Sequence, residues 1–444
     1  MRLLFALALV AASALPAQQP TDWKVGLASV DITPETPVPM GGYGGRDAPF
    51  EAVEQPLFAK ALAIEDSAGK RALLITADIL GFTNERSERI AARLGASDRI
   101  ARKDILFNAS HTHSGPLVAG SMLNGVSPES RRMIDIYIAV LEDKIVAAGQ
   151  KALRDLRPAN LSWGKGVANF VMNRREFTAN GVILGTNASG LADRTVPVLR
   201  VDGADGRPRA VVFGAASHNT TLTGGNMRIS GDYAGFAQQF LEARRPGVQA
   251  MFVTGCAGDA NPNPRGTFDL ARRHGSELAE EVMRVLEGDL RRVRGPLQTQ
   301  FERVALPLKK YSRAEIEAMA PTAPSYRRFF VEGALKKLDQ GEKLLESYSA
   351  PFALWQFGQD LTLVAYSGET LVDYALNAER LLGPLNLWVS GYNNDVFGYL
   401  PPARVLAEGG YETRGLYVDY GLFEPEVEQT VLDAIQKMAK NVGR

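Results

Sequence analysis

Short apolar runs rich in β-branched residues recur through the 444-residue chain and close in polar or glycine-rich turns, alternating with amphipathic stretches whose apolar residues fall three and four apart. Two interleaved periods of this kind call for a mixed α/β or α+β architecture rather than an all-helical or all-strand one. Strands are predicted at 71–78, 104–108, 210–215, 249–254, 360–366 and 387–390. Helices are predicted over 130–156, 234–244, 268–286, 312–319, 331–346, 370–382 and 424–440. No solenoid-period repeat and no long linker breaks the pattern, so the expectation is one unit over 18–444 with mixed β-sheets packed together and flanked by helices. The stretch 311–348, rich in Lys, Arg, Glu and Ala, reads as a helical insertion with solvated charges.

Composition narrows the function. Lys and Arg total 50 against 50 Asp and Glu, so no excess positive charge is available to hold a nucleic acid, and none is expected as a partner. With four His and one Cys, a thiolate metal cluster and an intramolecular disulfide are both excluded by count. Cys256 is expected to fill a buried apolar position. Residues 1–17 join a basic start at Arg2, an apolar run and small residues at Ala12, Ala14 and Ala17. That is the pattern of a secretory signal peptide, and an exported, periplasmic or secreted protein is expected. No later segment has the roughly 18 uninterrupted apolar residues of a membrane-spanning helix.

Polar clusters sit where the predicted strands end, the address at which a strand fixes position and a loop exposes side chains. Asn108-Ala-Ser-His111-Thr-His113-Ser-Gly115-Pro116 follows an apolar strand, and in extended backbone His111 and His113 point to one face. Ser217-His218 ends a second apolar strand. Three of four His in small, hydroxyl-rich surroundings favour a metal or acid–base site. Gly258-Asp259-Ala-Asn261-Pro262 follows a third strand; its Asp can orient an imidazole or water. Glu369, in Ser367-Gly-Glu-Thr370, reads either as a helix-start carboxylate or as an oxygen ligand held at a strand end.

Together with Val25–Pro34, the glycine turn Pro39-Met-Gly-Gly-Tyr43-Gly, Asn173-Arg174 and Gly398-Tyr399, these motifs resemble, in the same order, the catalytic domain of the neutral/alkaline non-lysosomal ceramidases. The resemblance implies an amidase with one zinc ion held by His111, His218, Glu369 and Tyr399; a second ion such as Ca²⁺ or Mg²⁺ is left open. It implies His113 as proton shuttle to the leaving amine or as a hydrogen-bond donor to substrate, Arg174 and Tyr411 as donors to substrate or oxyanion, Asp259 as an orienting group, and Asn261 and the turn at position 43 as substrate-facing. The implied substrate is ceramide or a related N-acyl lipid, with membrane contact through the substrate alone and no protein partner. Two departures bear on it. Family members carry Ser where this chain has Asn261, which cannot act as a nucleophile, and they add an immunoglobulin-like sandwich beyond the region matched here. Another amide or ester substrate, or a non-catalytic exported binding protein, are the alternatives.

Overall fold

The computed structural model describes residues 21–44, 46, 48–118, 123, 126–417 and 419–444; the expected signal peptide lies outside them. Its centre is a nine-stranded mixed sheet. Eight strands run in spatial order Gln249–Thr254, Pro208–Ala215, Thr195–Gly203, Arg157–Val167, Trp23–Asp31, Phe58–Asp66, Arg71–Ala77 and Ile105–Ala109, and Arg291–Val293 pairs beside Arg157–Val167. The pairs at the two ends are parallel and the interior pairs antiparallel.

Two-residue alternation splits these strands between two cores. Leu62, Ile64, Leu74, Val212 and Met251 turn to one face, where they meet Trp355, Phe357, Leu363 and Trp388 of a four-stranded sheet built from Leu297–Pro307, Ser347–Phe357, Leu361–Ala365 and Leu387–Ser390. Ala61, Ala63, Leu73 and Ile75 turn the other way, under helices Asn84–Asp98 and Pro128–Arg154. Helices Asp232–Arg244 and Phe268–Glu287 cover the other half of that outer face, packing on Val211, Phe213 and Phe252. Val372–Leu382 and Val427–Asn441 close the far side of the four-stranded sheet. The stack is helix, sheet, sheet, helix, and each fully buried aliphatic side chain contributes roughly 1.5–3 kcal/mol to holding it.

The two outermost strands of the large sheet meet at their C-terminal ends. The Thr254 N–H donates to Asn108 Oδ1 at 2.9 Å, and the Thr254 hydroxyl donates to the Ala109 carbonyl at 2.7 Å. The segments that follow both strands therefore emerge at one place, beside the end of Pro208–Ala215.

The sequence expectations hold for most elements, with informative shifts. The helix over 370–382 begins at Val372, because Glu369–Thr370 pairs as a short parallel strand with Tyr399–Leu400. The helix placed at 331–346 runs Ser325–Asp339, ending just before Gly341 at φ +75°. The insertion is real: two helices, Arg313–Met319 and Ser325–Asp339, sit at the tip of a hairpin whose strands pair from Leu297↔Phe357 to Pro307↔Ser347. Helix Asn84–Asp98 was not foreseen, nor were strands Phe58–Asp66, Arg157–Val167, Thr195–Gly203, Leu297–Pro307 and Ser347–Phe357. Cys256 is buried and free. Among the described residues no helix is long and apolar enough to cross a membrane.

Candidate active site

His111 does not lie on a strand. The strand ends at Ala109, and His111 takes the left-handed conformation at φ +60°, a strained state for a side-chain-bearing residue. Its N–H donates to the Ile79 carbonyl at 3.0 Å and its Nδ1 donates to the Leu80 carbonyl at 2.6 Å, which fixes the ring. The convergence of His111 and His113 thus comes from this kink and not from strand alternation. Gly42, at φ +95°, makes room for the second ring: a Cβ there would fall 2.4 Å from His113 Cγ.

His218 is fully buried, with Nδ1 facing the Ala257 and Ala260 carbonyls at 2.7 and 3.2 Å. A carbonyl only accepts, so Nδ1 of both His111 and His218 carries a proton and each ring turns its Nε2 toward the centre of the cluster. They face a carboxylate: Glu369 Oε2 lies 2.9 Å from His218 Nε2 and 3.4 Å from His111 Nε2. His113 Nε2 is 3.1 Å from His111 Nε2. The three imidazoles group within 4.8 Å.

Three ring nitrogens and a carboxylate oxygen converging on one buried point are a donor set that could hold a divalent cation. Burial and the Arg174 guanidinium hold His218 down to about 3, so its ring stays neutral. Burial and the neighbouring imidazoles likewise keep His113 well below its ordinary value. The donor set of imidazole nitrogen and carboxylate oxygen fits a borderline divalent ion such as zinc.

Tyr399 is brought beside Glu369 by the register Glu369↔Tyr399. Its hydroxyl accepts from Arg174 Nη2 at 2.8 Å. The same guanidinium donates from Nε to Glu412 Oε1 at 2.9 Å and faces His218 Nε2 from Nη1 at 3.2 Å. Burial opposes the Arg174 charge, yet Tyr399, Glu412 and Glu369 hold it well above its ordinary value. Tyr411 packs edge-on against Tyr399 with centroids 5.6 Å apart. Asn261 Oδ1 accepts from Thr220 Oγ1 at 3.1 Å and from Arg174 Nη1 at 3.4 Å.

Asp259 departs from its expected role. Its carboxylate takes the Val372 N–H and the Asn173 amide, at 3.0 and 3.1 Å, and touches no imidazole. The backbone around it does the orienting instead, through the Ala257 and Ala260 carbonyls that hold His218. Burial pushes the Asp259 carboxyl up to about 7. Position 43, in the glycine turn, is the tyrosine itself, and its ring packs 4.8 Å from that of His113.

Three partners were not foreseen. Tyr417 donates to Glu369 Oε1 at 2.5 Å, Glu412 bridges Arg174 and Arg175, and Tyr392 sits with its ring 4.6 Å from His111 and its hydroxyl buried without a partner. A cavity of about 520 Å³ opens onto the cluster, with His113, Arg174, Asn261, Tyr399 and Tyr411 in its wall.

Stacked mixed sheets with a buried imidazole–carboxylate centre at their strand ends define an α/β protein whose three clustered imidazoles could hold a metal ion. More particularly, the chain belongs to the neutral/alkaline non-lysosomal ceramidase family, whose N-terminal region matches residues 23–323. It is similar to the neutral ceramidase of Mycobacterium tuberculosis, 28% identical over 60% of this chain and 46% of that protein, and to that of Pseudomonas aeruginosa, 26% identical over 54% and 37%. The chain thus spans about half the length of these relatives or less. The crystal structure of the Pseudomonas aeruginosa neutral ceramidase superposes with a TM-score of 0.73 at 20% identity, over 96% of this chain and 75% of that one. Glu369, Tyr399 and Tyr411 lie beyond the family match and within the span of chain that the fold match covers almost completely.

Proposed function

We propose that residues 18–444 form an exported zinc-dependent amidohydrolase that cleaves an N-acyl amide, with ceramide or a related N-acyl lipid as the substrate class. The observation that carries this reading is the grouping of the His111, His113 and His218 ring nitrogens within 4.8 Å of one another, with Glu369 Oε2 2.9 Å from His218 Nε2 and 3.4 Å from His111 Nε2. His111, His218 and Glu369 would hold the ion, with Tyr399 beside Glu369 as the fourth ligand. Zinc bound there supplies Lewis acidity to the amide carbonyl and lowers the pKa of a water toward about 7.

The chain's own groups do the rest. His113 is neutral, and its Nδ1 is buried without a partner, so it is free to carry a proton to the departing amine. Arg174 Nη1 points at the cluster, where negative charge develops on the carbonyl oxygen. Tyr411 stands in the cavity wall as a further donor. Asn261 cannot take a covalent role, so the amide is attacked by water directly. Family membership supports the amide chemistry, and the signal-like residues 1–17 support export.

The test is release of fatty acid from ceramide by the purified protein, with elemental analysis of bound metal. Chelator-sensitive release is expected, with His111→Ala and Glu369→Ala losing metal and turnover together and Arg174→Ala keeping metal while losing rate. Full turnover in thoroughly chelated protein would sink the reading. N-terminal sequencing of envelope or medium fractions should begin at residue 18; a protein retained in the cytosol with its first residues intact would refute export.

A further inference from the structure

The cavity wall is charged on one side only. None of its lining residues is an Asp or Glu, whereas Arg174 and Arg265 both contribute. Arg174 is neutralised by Glu412. Arg265 has no such counterpart: among the described residues its guanidinium meets only the Tyr43 hydroxyl, 3.0 Å from Nη2, and its Nε is buried without a partner.

Across the Tyr43 ring stands a second guanidinium of the same kind. Arg46 lies 5.0 Å over that ring, and its donors go to the carbonyls of Asn226, Gly41 and His113, with no carboxylate among them. In a chain whose charges balance at 50 to 50, two guanidiniums without a carboxylate partner among the described residues flank Tyr43, and Arg265, the one in the cavity wall, concentrates positive potential there. A planar guanidinium with free donors is the complement of an oxyanion, which it grips at two points. An uncharged headgroup leaves those donors unused.

Position says which half of the substrate bears the anion. Tyr43 carries Arg265 on its hydroxyl and packs its ring on His113, the group that would protonate the leaving amine. Met172, Leu184 and Pro262 give the same cavity an apolar wall for an acyl chain. We propose that Arg265, set by Tyr43, selects amides whose amine half carries an oxyanion, as in an N-acylated amino acid. This rests on the amide-hydrolase reading above. The bond chemistry is ordinary hydrolysis: hydroxide from water joins the acyl carbon, the C–N bond breaks, and a proton goes to the amine.

Two measurements separate this proposal from that reading. The first compares kcat/KM of the zinc-loaded protein on N-dodecanoylglycine, N-dodecanoylphosphoethanolamine and N-dodecanoylethanolamine. At least one anionic amide should exceed the neutral one tenfold or more, and the arm that does so distinguishes carboxylate from phosphate. Arg265→Met should bring that ratio close to one, with Arg265→Lys between. The second is calorimetric binding of two amphiphiles without an amide, dodecylthioacetate and 2-(dodecylthio)ethanol. The anion should bind at least tenfold tighter, and Arg265→Met should remove that margin while the protein melts where the parent does. Equal binding of the two, or a margin that survives Arg265→Met, overturns the proposal. Selective binding without hydrolysis of any amide would leave the anion seat standing and count against the hydrolase reading instead.

Discussion

Glu412 is the carboxylate that two buried cations share, Arg174 pairing with it alone among the described residues and Arg175 also with Glu408 at 3.0 Å. It accepts from Arg174 Nε and Arg175 Nη1, at 2.9 and 2.7 Å, and all three side chains are buried. Removing one partner of such a group leaves an uncompensated charge inside, so Glu412→Ala should cost about 3–5 kcal/mol in denaturant unfolding. Glu412→Gln, which keeps one acceptor, should cost less. A second prediction concerns Asp395, whose carboxyl burial raises from 3.8 to about 7 while it accepts from the Tyr348 hydroxyl and the Asn84 N–H. The folded chain therefore keeps a proton that the unfolded chain releases near 3.8. The resulting stability is fully present below that pH and is lost as pH rises through about 7. Unfolding free energy measured from pH 4 to 7.5 should fall relative to Asp395→Asn, and parallel curves would refute the assignment. The imidazoles of the site could be read from sequence because histidine is scarce here and three of the four stand in small-residue turns after apolar runs. Glu412 and Tyr417 could not: the first meets Arg174 across 238 residues and the second meets Glu369 across 48, and a lone Glu or Tyr in a turn carries no period that announces its partner.

Among the elements, the docking of helix Pro128–Arg154 on strand Trp23–Asp31 turns on a single absent side chain. A Cβ on Gly26 would fall 1.9 Å from the Ala152 carbonyl oxygen, a backbone atom that moves only with its helix. Gly26→Ala should therefore destabilise at the upper end of about 1–3 kcal/mol, read as a lowered midpoint with the same m-value; a neutral result would mean that the helix slides at little cost. This helix was legible because its apolar residues recur at helical spacing through Ile134, Tyr137, Leu141 and Ile145, all buried. Asn84–Asp98 was not, because its buried stripe is largely Ile90, Ala91 and Leu94 set in charged sequence. Its start is marked only by the Thr83 side chain accepting from the Arg86 N–H. Short pairings such as Glu369–Thr370 with Tyr399–Leu400 lie below the length at which any period can be seen.

At the scale of the whole molecule, alternating strands and helices foretold stacked sheets flanked by helices, but not the order of strands. Trp23–Asp31 sits between Phe58–Asp66 and Arg157–Val167, a choice made by long-range burial that no local pattern encodes. Nor did the sequence disclose that the helical insertion braces the site. Arg327 donates to Thr413 Oγ1 at 2.9 Å, and Phe329 packs 4.9 Å from Tyr420, on either side of Tyr417. Stripping zinc should therefore be felt well beyond the cavity, as a lower thermal midpoint that recovers with added metal by an amount growing as the logarithm of free ion over its dissociation constant. A midpoint indifferent to chelator would speak against an ion at this seat. If the midpoint does follow the metal, the convergence of His111, His218 and Glu369 on one buried point acquires a meaning outside chemistry. Starved of its ion, the protein would lose the stability that binding adds at the point where its sheets meet, and proteases would clear it sooner, so that the supply of zinc would set how long each copy survives as well as how fast it works.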